Sequence, residues 1–166
     1  MSKENLTRTE AIAKLKELAE GIDFAIMATN LKNEPSHAVP MSTKKVDIEG
    51  NVWFLSSSES THNKNIVSDS KTQLFYSNPS SMEFLTVYGD ASISENKGVI
   101  KELYSKTDDA WFEGVEDPKI TAIKVTPIET YYWDTKHGRL ESLFKMGIGL
   151  ITGEEQDLSE YGELKV

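Results

Sequence analysis

Short apolar runs separated by brief polar turns constrain this chain most. Residues 24–29, 36–46, 52–55, 72–77, 83–94 and 120–133 carry the residue types of β-strands. Several of the turns between them, Lys32-Asn33, Asp47-Ile48-Glu49-Gly50-Asn51 and Asn78-Pro79-Ser80-Ser81, are too short to hold a crossover helix. Regular strand–helix alternation is missing, and so is a Gly-rich dinucleotide turn, which argues against a Rossmann arrangement. The pattern predicts a mainly β fold with peripheral helices, built on an antiparallel sheet or barrel. Pro40 inside the second run favours an edge or a bulge, Gly89 a bulge or bend, and Pro127 a bend.

The helical signals are few. Thr7-Arg8-Thr9-Glu10 fits a capping box, and Ile12, Leu15, Leu18 and Ala19 then recur at helical spacing. This predicts a helix over 8–20, with Gly21 as its C-terminal cap. Val99, Ile100, Leu103 and Tyr104 suggest a second helix, and Leu140, Leu143, Phe144, Leu150 and Ile151 a weaker one after a turn at His137-Gly138. Residues 107–118 read as irregular or short-helical. The length of 166 residues suits a single domain, 1–166. Its end, 153–166, is acidic, and is either solvated or docked through Leu158, Tyr161 and Leu164.

Composition removes several function classes. A formal charge of −9 argues against a general nucleic-acid binder, which needs a basic face. Cysteine is absent, so a disulfide framework, a thiolate metal site and a cysteine nucleophile are excluded. His37, His62 and His137 lack the spacing of a helical zinc site, so no metal is expected. Ser58 and Ser60 do not sit in a nucleophile elbow. The polar start and the lack of a long apolar run predict a cytoplasmic protein with no membrane partner.

One segment points to a ligand. Trp53-Phe54-Leu55 runs into Ser56-Ser57-Ser58-Glu59-Ser60-Thr61-His62-Asn63-Lys64. Ser60 or Thr61 can cap a short helix whose apolar face includes Ile66 and Val67. A serine-rich turn, a helix N-terminus and a nearby Lys64 or His62 make an anion cradle. An ordinary capped helix has the same local pattern, and the segment alone favours that plainer reading. Trp53 reads as core, Lys44-Lys45 as a solvated strand end, and Asp134 beside Trp133 as a positioned carboxylate.

Four segments together resemble a known family: His37-Ala38-Val39-Pro40-Met41, Gly50-Asn51-Val52-Trp53-Phe54-Leu55-Ser56-Ser57, Ala110-Trp111-Phe112 with Asp117-Pro118, and Tyr132-Trp133-Asp134. In this order they are similar to the pyridoxamine 5′-phosphate oxidase-like FMN-binding split barrels, in the general stress protein 26 branch. The resemblance implies a six-stranded antiparallel split β-barrel and a homodimer with flavin sites at its interface. It implies that Val39, Pro40 and Met41 approach the flavin ring. Leu55, Ser56, Ser57, Ser60, His62 and Lys64 would hold ring edge and phosphate. Trp111 and Trp133 would match aromatics at the barrel mouth, from either subunit. The chain departs from the family pattern where an arginine is common, at Val39, and where a lysine or Arg-Lys pair is common, near His62. The expected function is an FMN-binding, stress-associated oxidoreductase whose catalytic residues the sequence does not identify. Two alternatives are a non-enzymatic flavin-binding or flavin-buffering stress protein, and a split-barrel dimer binding haem or another planar ligand.

Overall fold

The computed structural model describes residues 2–3, 6–135 and 159–166. The predicted turn at His137-Gly138, the weak helix over 140–151 and Leu158 lie outside the described residues. Helix α1 spans Arg8–Ile22 and starts as expected. Thr7 Oγ1 accepts the Glu10 N–H, and the Glu10 carboxylate accepts the Thr7 N–H at 2.8 Å. It does not end at Gly21. The helix continues through Ile22, and Asp23 takes the left-handed φ of 70° that closes it.

The strands are β1 (Ser2–Lys3), β2 (Phe24–Thr29), β3 (His37–Ser42), β4 (Lys45–Val46), β5 (Val52–Ser57), β6 (Lys71–Asn78), β7 (Glu83–Ser94), β8 (Ile120–Thr135) and β9 (Ser159–Glu163). They form one sheet in the order β1-β9-β8-β7-β6-β2-β3, with β5 paired to β4 and to β8. Six strands, β2, β3, β5, β6, β7 and β8, have six to sixteen residues and make the predicted antiparallel split barrel. The strand count is higher than six because short β1, β4 and β9 extend it. The β1–β9 pair is parallel, whereas the other pairs are antiparallel.

The run predicted over 36–46 is two strands, not one. After Ser42 the chain leaves β2: the Thr43 N–H bonds the Asp23 carbonyl at 2.8 Å, and the Lys44 N–H bonds the Trp53 carbonyl at 2.8 Å. β4 then pairs with β5. Pro40 lies on β3, an end strand of the main sheet path, where a missing N–H is tolerated. β8 is long enough to pair with β5 through its first half and with β9 through its last five residues. The expected irregularity at Gly89 is a bulge: Tyr88 pairs with Glu129 but Gly89 with Pro127, leaving Ile128 as the extra residue.

Ala11, Leu15, Leu18 and Ala19 of α1 plug the barrel against Met27, Phe54, Leu74, Tyr76, Leu85, Val87 and Val125, all buried. A second cluster joins Leu55, Ile120 and Ala122 to Ile100 and Leu103 of helix α3 (Lys97–Leu103). β5 is therefore covered on both faces, which explains its unbroken apolar run. Trp53 is not core. It is half-buried at the edge of the second cluster, and its indole N–H donates to Asp47 Oδ2 at 2.8 Å. The acidic end docks rather than standing in solvent: β9 joins the sheet, and Leu164 is buried in the main core.

Candidate functional site

A cavity of about 590 Å³ lies where the chain changes partners between β3 and β4. β3 supplies Val39, Pro40, Met41 and Ser42, and β5 supplies Leu55, Ser56 and Ser57. Ser60 and His62 come from the start of helix α2 (Thr61–Ser68), and Asp23 and Phe24 from the α1–β2 junction. Lys44, Thr107, Asp108, Trp111 and Phe112 complete the wall, the last four from a 3₁₀ turn (Lys106–Ala110) and the residues after it. The volume is that of a small-molecule site.

Ser60 caps α2, its Oγ accepting the Asn63 N–H at 3.2 Å. Ile66 packs inward as predicted, but Val67 is 79% exposed; the second inward residue is Asn63. Asn63 anchors the helix to the barrel through a buried chain of polar groups. The Thr121 hydroxyl gives its hydrogen to the Ser56 carbonyl at 3.0 Å, so it accepts from Asn63 Nδ2 at 2.8 Å. Asn63 Oδ1 therefore faces Ser56 Oγ and accepts its hydrogen in the shortest contact that hydroxyl makes. Ser56 Oγ can then only accept from His62 Nε2, 2.8 Å away. The network fixes the neutral tautomer of His62: Nε2 carries the proton and Nδ1 keeps its lone pair.

Burial holds the His62 imidazole below its usual value, and the stacked His37 ring, 6.4 Å away between centroids, adds to the effect. His62 is thus an uncharged acceptor at neutral pH. Without a bound anion, His62 therefore adds no positive charge to the site at neutral pH.

Lys44 is not a solvated strand end. Its Nζ lies 2.7 and 3.0 Å from the two Asp108 carboxylate oxygens, and both side chains are only 12% exposed. Asp108 also accepts the Ser105 N–H at 2.7 Å and the Ser105 hydroxyl at 2.8 Å. Burial alone would raise the Asp108 carboxyl, but Lys44 and Ser105 outweigh it and hold it below the usual range. Asp23, strained at φ 70°, accepts the Ser42 hydroxyl at 2.7 Å.

Of the residues singled out in the sequence, Val39, Pro40, Met41, Leu55, Ser56, Ser57, Ser60, His62 and Trp111 line this cavity. Lys64 is exposed on α2 and does not line it; Trp133 lies on β8, paired with Phe84 and Tyr161. Asp134 is positioned, buried beside Lys14 of α1. Sequence reasoning missed Asp23, Lys44 and Asp108. Asp23 carried a signal, since it follows the helix end at Gly21-Ile22. Lys44 and Asp108 are 64 positions apart and carried none. Among the described residues no group of three or more His, Asp or Glu could hold a metal ion. No described helix is long and apolar enough to cross a membrane.

Comparison with solved structures finds the same fold. A structure from Jannaschia sp. CCS1, described as a general stress protein 26, superposes with a TM-score of 0.80 at 20% identity, covering 96% of this chain and 100% of that one. A Clostridium acetobutylicum protein, related to general stress protein 26 of B. subtilis (pyridoxinephosphate oxidase family), gives 0.65 at 18% identity over 80% of this chain and 94% of that one. A pyridoxamine 5′-phosphate oxidase-related, FMN binding protein from Nostoc punctiforme PCC 73102 gives 0.60 at 12% identity over 79% and 85%. No curated protein matches the sequence. A family model described as "Pyridoxamine 5'-phosphate oxidase like" matches residues 10–157, and with most of its length accounted for in this way the chain belongs to the pyridoxamine 5′-phosphate oxidase-like family.

Proposed function

We propose that this chain is a flavin-binding, stress-associated protein of the oxidoreductase type, with FMN as the first cofactor to test. The observation that carries the reading is the cavity itself. Its walls offer flat or apolar surface from Phe24, Pro40, Met41, Leu55, Trp111 and Phe112, with hydroxyls of Ser56, Ser57 and Ser60 grouped at one end of β5 and the start of α2. That combination suits a planar ring with a polar chain. A bound flavin would supply the hydride or electron transfer, and the protein would bind, orient and shield it. His62 Nδ1 offers an acceptor for a ligand N–H or O–H. The fit is incomplete at a phosphate: Lys44, the lysine in the wall, is already paired with Asp108, and Lys64 stands outside.

Flavin uptake is the direct test. Purified protein titrated with flavin should quench its fluorescence to a saturating one-to-one end point and show a perturbed visible spectrum. Absence of saturable binding to either riboflavin or FMN would sink the reading.

The expected homodimer is also proposed. Tyr132 points into the core. Its neighbours Tyr131 and Trp133 point out, as strand alternation requires. They share the outer sheet face with Phe75, which pairs with Ile26 on β2 and Thr86 on β7, Thr86 in turn pairing with Tyr131. Phe24, two residues before Ile26, continues this exposed apolar band to the cavity wall. A second copy packing its own band here would bury both by two-fold symmetry. Sedimentation at about 10 μM, a concentration that populates an interface of micromolar or tighter affinity, should give a dimer, and Phe75→Lys a monomer. A wild-type monomer at that concentration removes the proposal.

A further inference from the structure

The cavity's charges point away from the ligand feature that a serine-rich strand–helix junction suggests. Among the described residues four titratable groups line it: Asp23, Lys44, His62 and Asp108. Lys44 and Asp108 cancel, at 2.7 Å. His62 is neutral, its Nε2 proton committed to Ser56. Asp23 remains, its carboxylate bonded among the described residues to the neutral hydroxyl of Ser42. The described wall therefore carries about one uncompensated negative charge, in a protein whose formal charge is −9. Val39 supplies no cation, and among the described residues no arginine lines the cavity.

A phosphomonoester carries a charge of about −1.5 to −2 at neutral pH. Binding one normally draws on arginine or lysine forks, which offset its desolvation. Here the remaining described groups are hydroxyls, the capped N-terminus of α2, the acceptor at His62 Nδ1 and the carboxylate of Asp23. Two of these attract ligand N–H and O–H groups and repel an anion.

We infer that this cavity selects its ligand by the uncharged ring and hydroxyl groups and selects against a terminal phosphate, so that riboflavin-class ligands bind at least as tightly as their phosphate esters. The inference rests on the flavin reading above and reverses the usual expectation for the anionic end. Asp23 is the specificity-determining residue, placed there by the left-handed end of α1.

The experiment compares riboflavin with FMN on the wild-type protein by fluorescence titration, across about 0.01 M to about 1 M salt, where the screening length falls from about 30 Å to about 3 Å. Riboflavin should bind as tightly as FMN or more tightly at low salt. FMN affinity should rise with salt while riboflavin affinity stays nearly level. Asp23→Asn keeps an oxygen for Ser42 and removes the charge; it should tighten FMN about three-fold or more and leave riboflavin within about two-fold, the scale of one partly screened charge. FMN binding more tightly than riboflavin and weakening with salt overturns the inference and leaves the flavin reading standing. An unchanged FMN-to-riboflavin ratio in Asp23→Asn overturns the role of Asp23. If neither flavin binds, the inference and the flavin reading fall together.

Discussion

Gly89→Ala is expected to destabilise the protein by about 3 kcal/mol or to prevent its folding, the upper range for overpacking against atoms that cannot move aside. A Cβ at this position would lie 2.3 Å from the Thr126 carbonyl oxygen, 3.0 Å from its carbon and 3.2 Å from Pro127 Cα. All three are backbone atoms of the strand to which β7 is hydrogen-bonded. The close approach lies next to the bulge at Ile128, where Gly89 pairs with Pro127. Left-handed geometry plays no part; the constraint is space alone. Gly21→Ala provides the control, because nothing lies within 4 Å of a Cβ there and the residue is helical. It should stabilise by about 0.5 kcal/mol, from helix propensity and reduced unfolded-state freedom. Urea denaturation of the two variants measures both. A Gly89→Ala protein within about 0.5 kcal/mol of wild type, the ordinary scatter of surface substitutions, would show that β8 yields and that the bulge is not rigid.

The second large effect is expected at Lys44. Lys44→Ala leaves the Asp108 carboxylate buried with only the Ser105 N–H and hydroxyl to hold it. Breaking one side of a largely buried pair should cost about 3 kcal/mol, the low end of the range because both partners keep some solvent contact. Asp108 also orders the turn that carries Trp111 and Phe112, whose N–H groups bond its carbonyl at 2.9 and 3.1 Å. The cavity wall should therefore loosen along with the loss of stability, and Trp111 fluorescence should report it. The pH dependence has a definite sign. The Asp108 carboxyl is held below its unfolded value, so its contribution is complete above that value, about 3.9, and disappears as pH falls through the depressed folded value. Wild type and Lys44→Ala should thus differ fully at neutral pH and converge in acid. A stability gap that persists unchanged into acid would mean that Lys44 acts by packing its methylenes and not by pairing with Asp108.

The fold was legible because its determinants are local. The Thr7–Glu10 box, the alternation along β7 and the turn residues at 47–51 and 78–81 each specify their own segment. Where sequence reasoning erred, a distant residue decided the outcome. Residues 36–46 look like one strand until Asp23 and Trp53 capture the Thr43 and Lys44 amides. Val67 looks like a core residue until Thr121 and Ser56 claim Asn63 for the inward face of α2. Trp53 looks like core until Asp47 draws its indole N–H to the surface. The candidate site shows the same division. The β3 and β5 residues were readable from the family resemblance and the strand–serine junction, and they do meet at one cavity. Its charge balance was not readable, because it depends on a lysine and an aspartate 64 positions apart and on a histidine tautomer set by three buried polar groups.

The span of β8 bears on how the molecule reaches this state at all. One sixteen-residue strand is hydrogen-bonded to β5, β7 and β9, and β9 also holds β1 through the pairing of Ser2 with Glu160. These are contacts between parts of the chain far apart in sequence, so large loops must close before the sheet gains anything from them. Such topologies fold in milliseconds to seconds, slower than helical bundles of similar stability. The β6–β7 hairpin, joined by the short turn after Asn78, is the natural early unit, and β8 can add to it before β5 and β9 find their places. Until then the apolar face of β5 has neither α3 nor the barrel core to cover it. The slow step of folding and the interval of greatest exposure to misassociation should therefore coincide, at the docking of the strand that carries Leu55, Ser56 and Ser57 of the cavity wall.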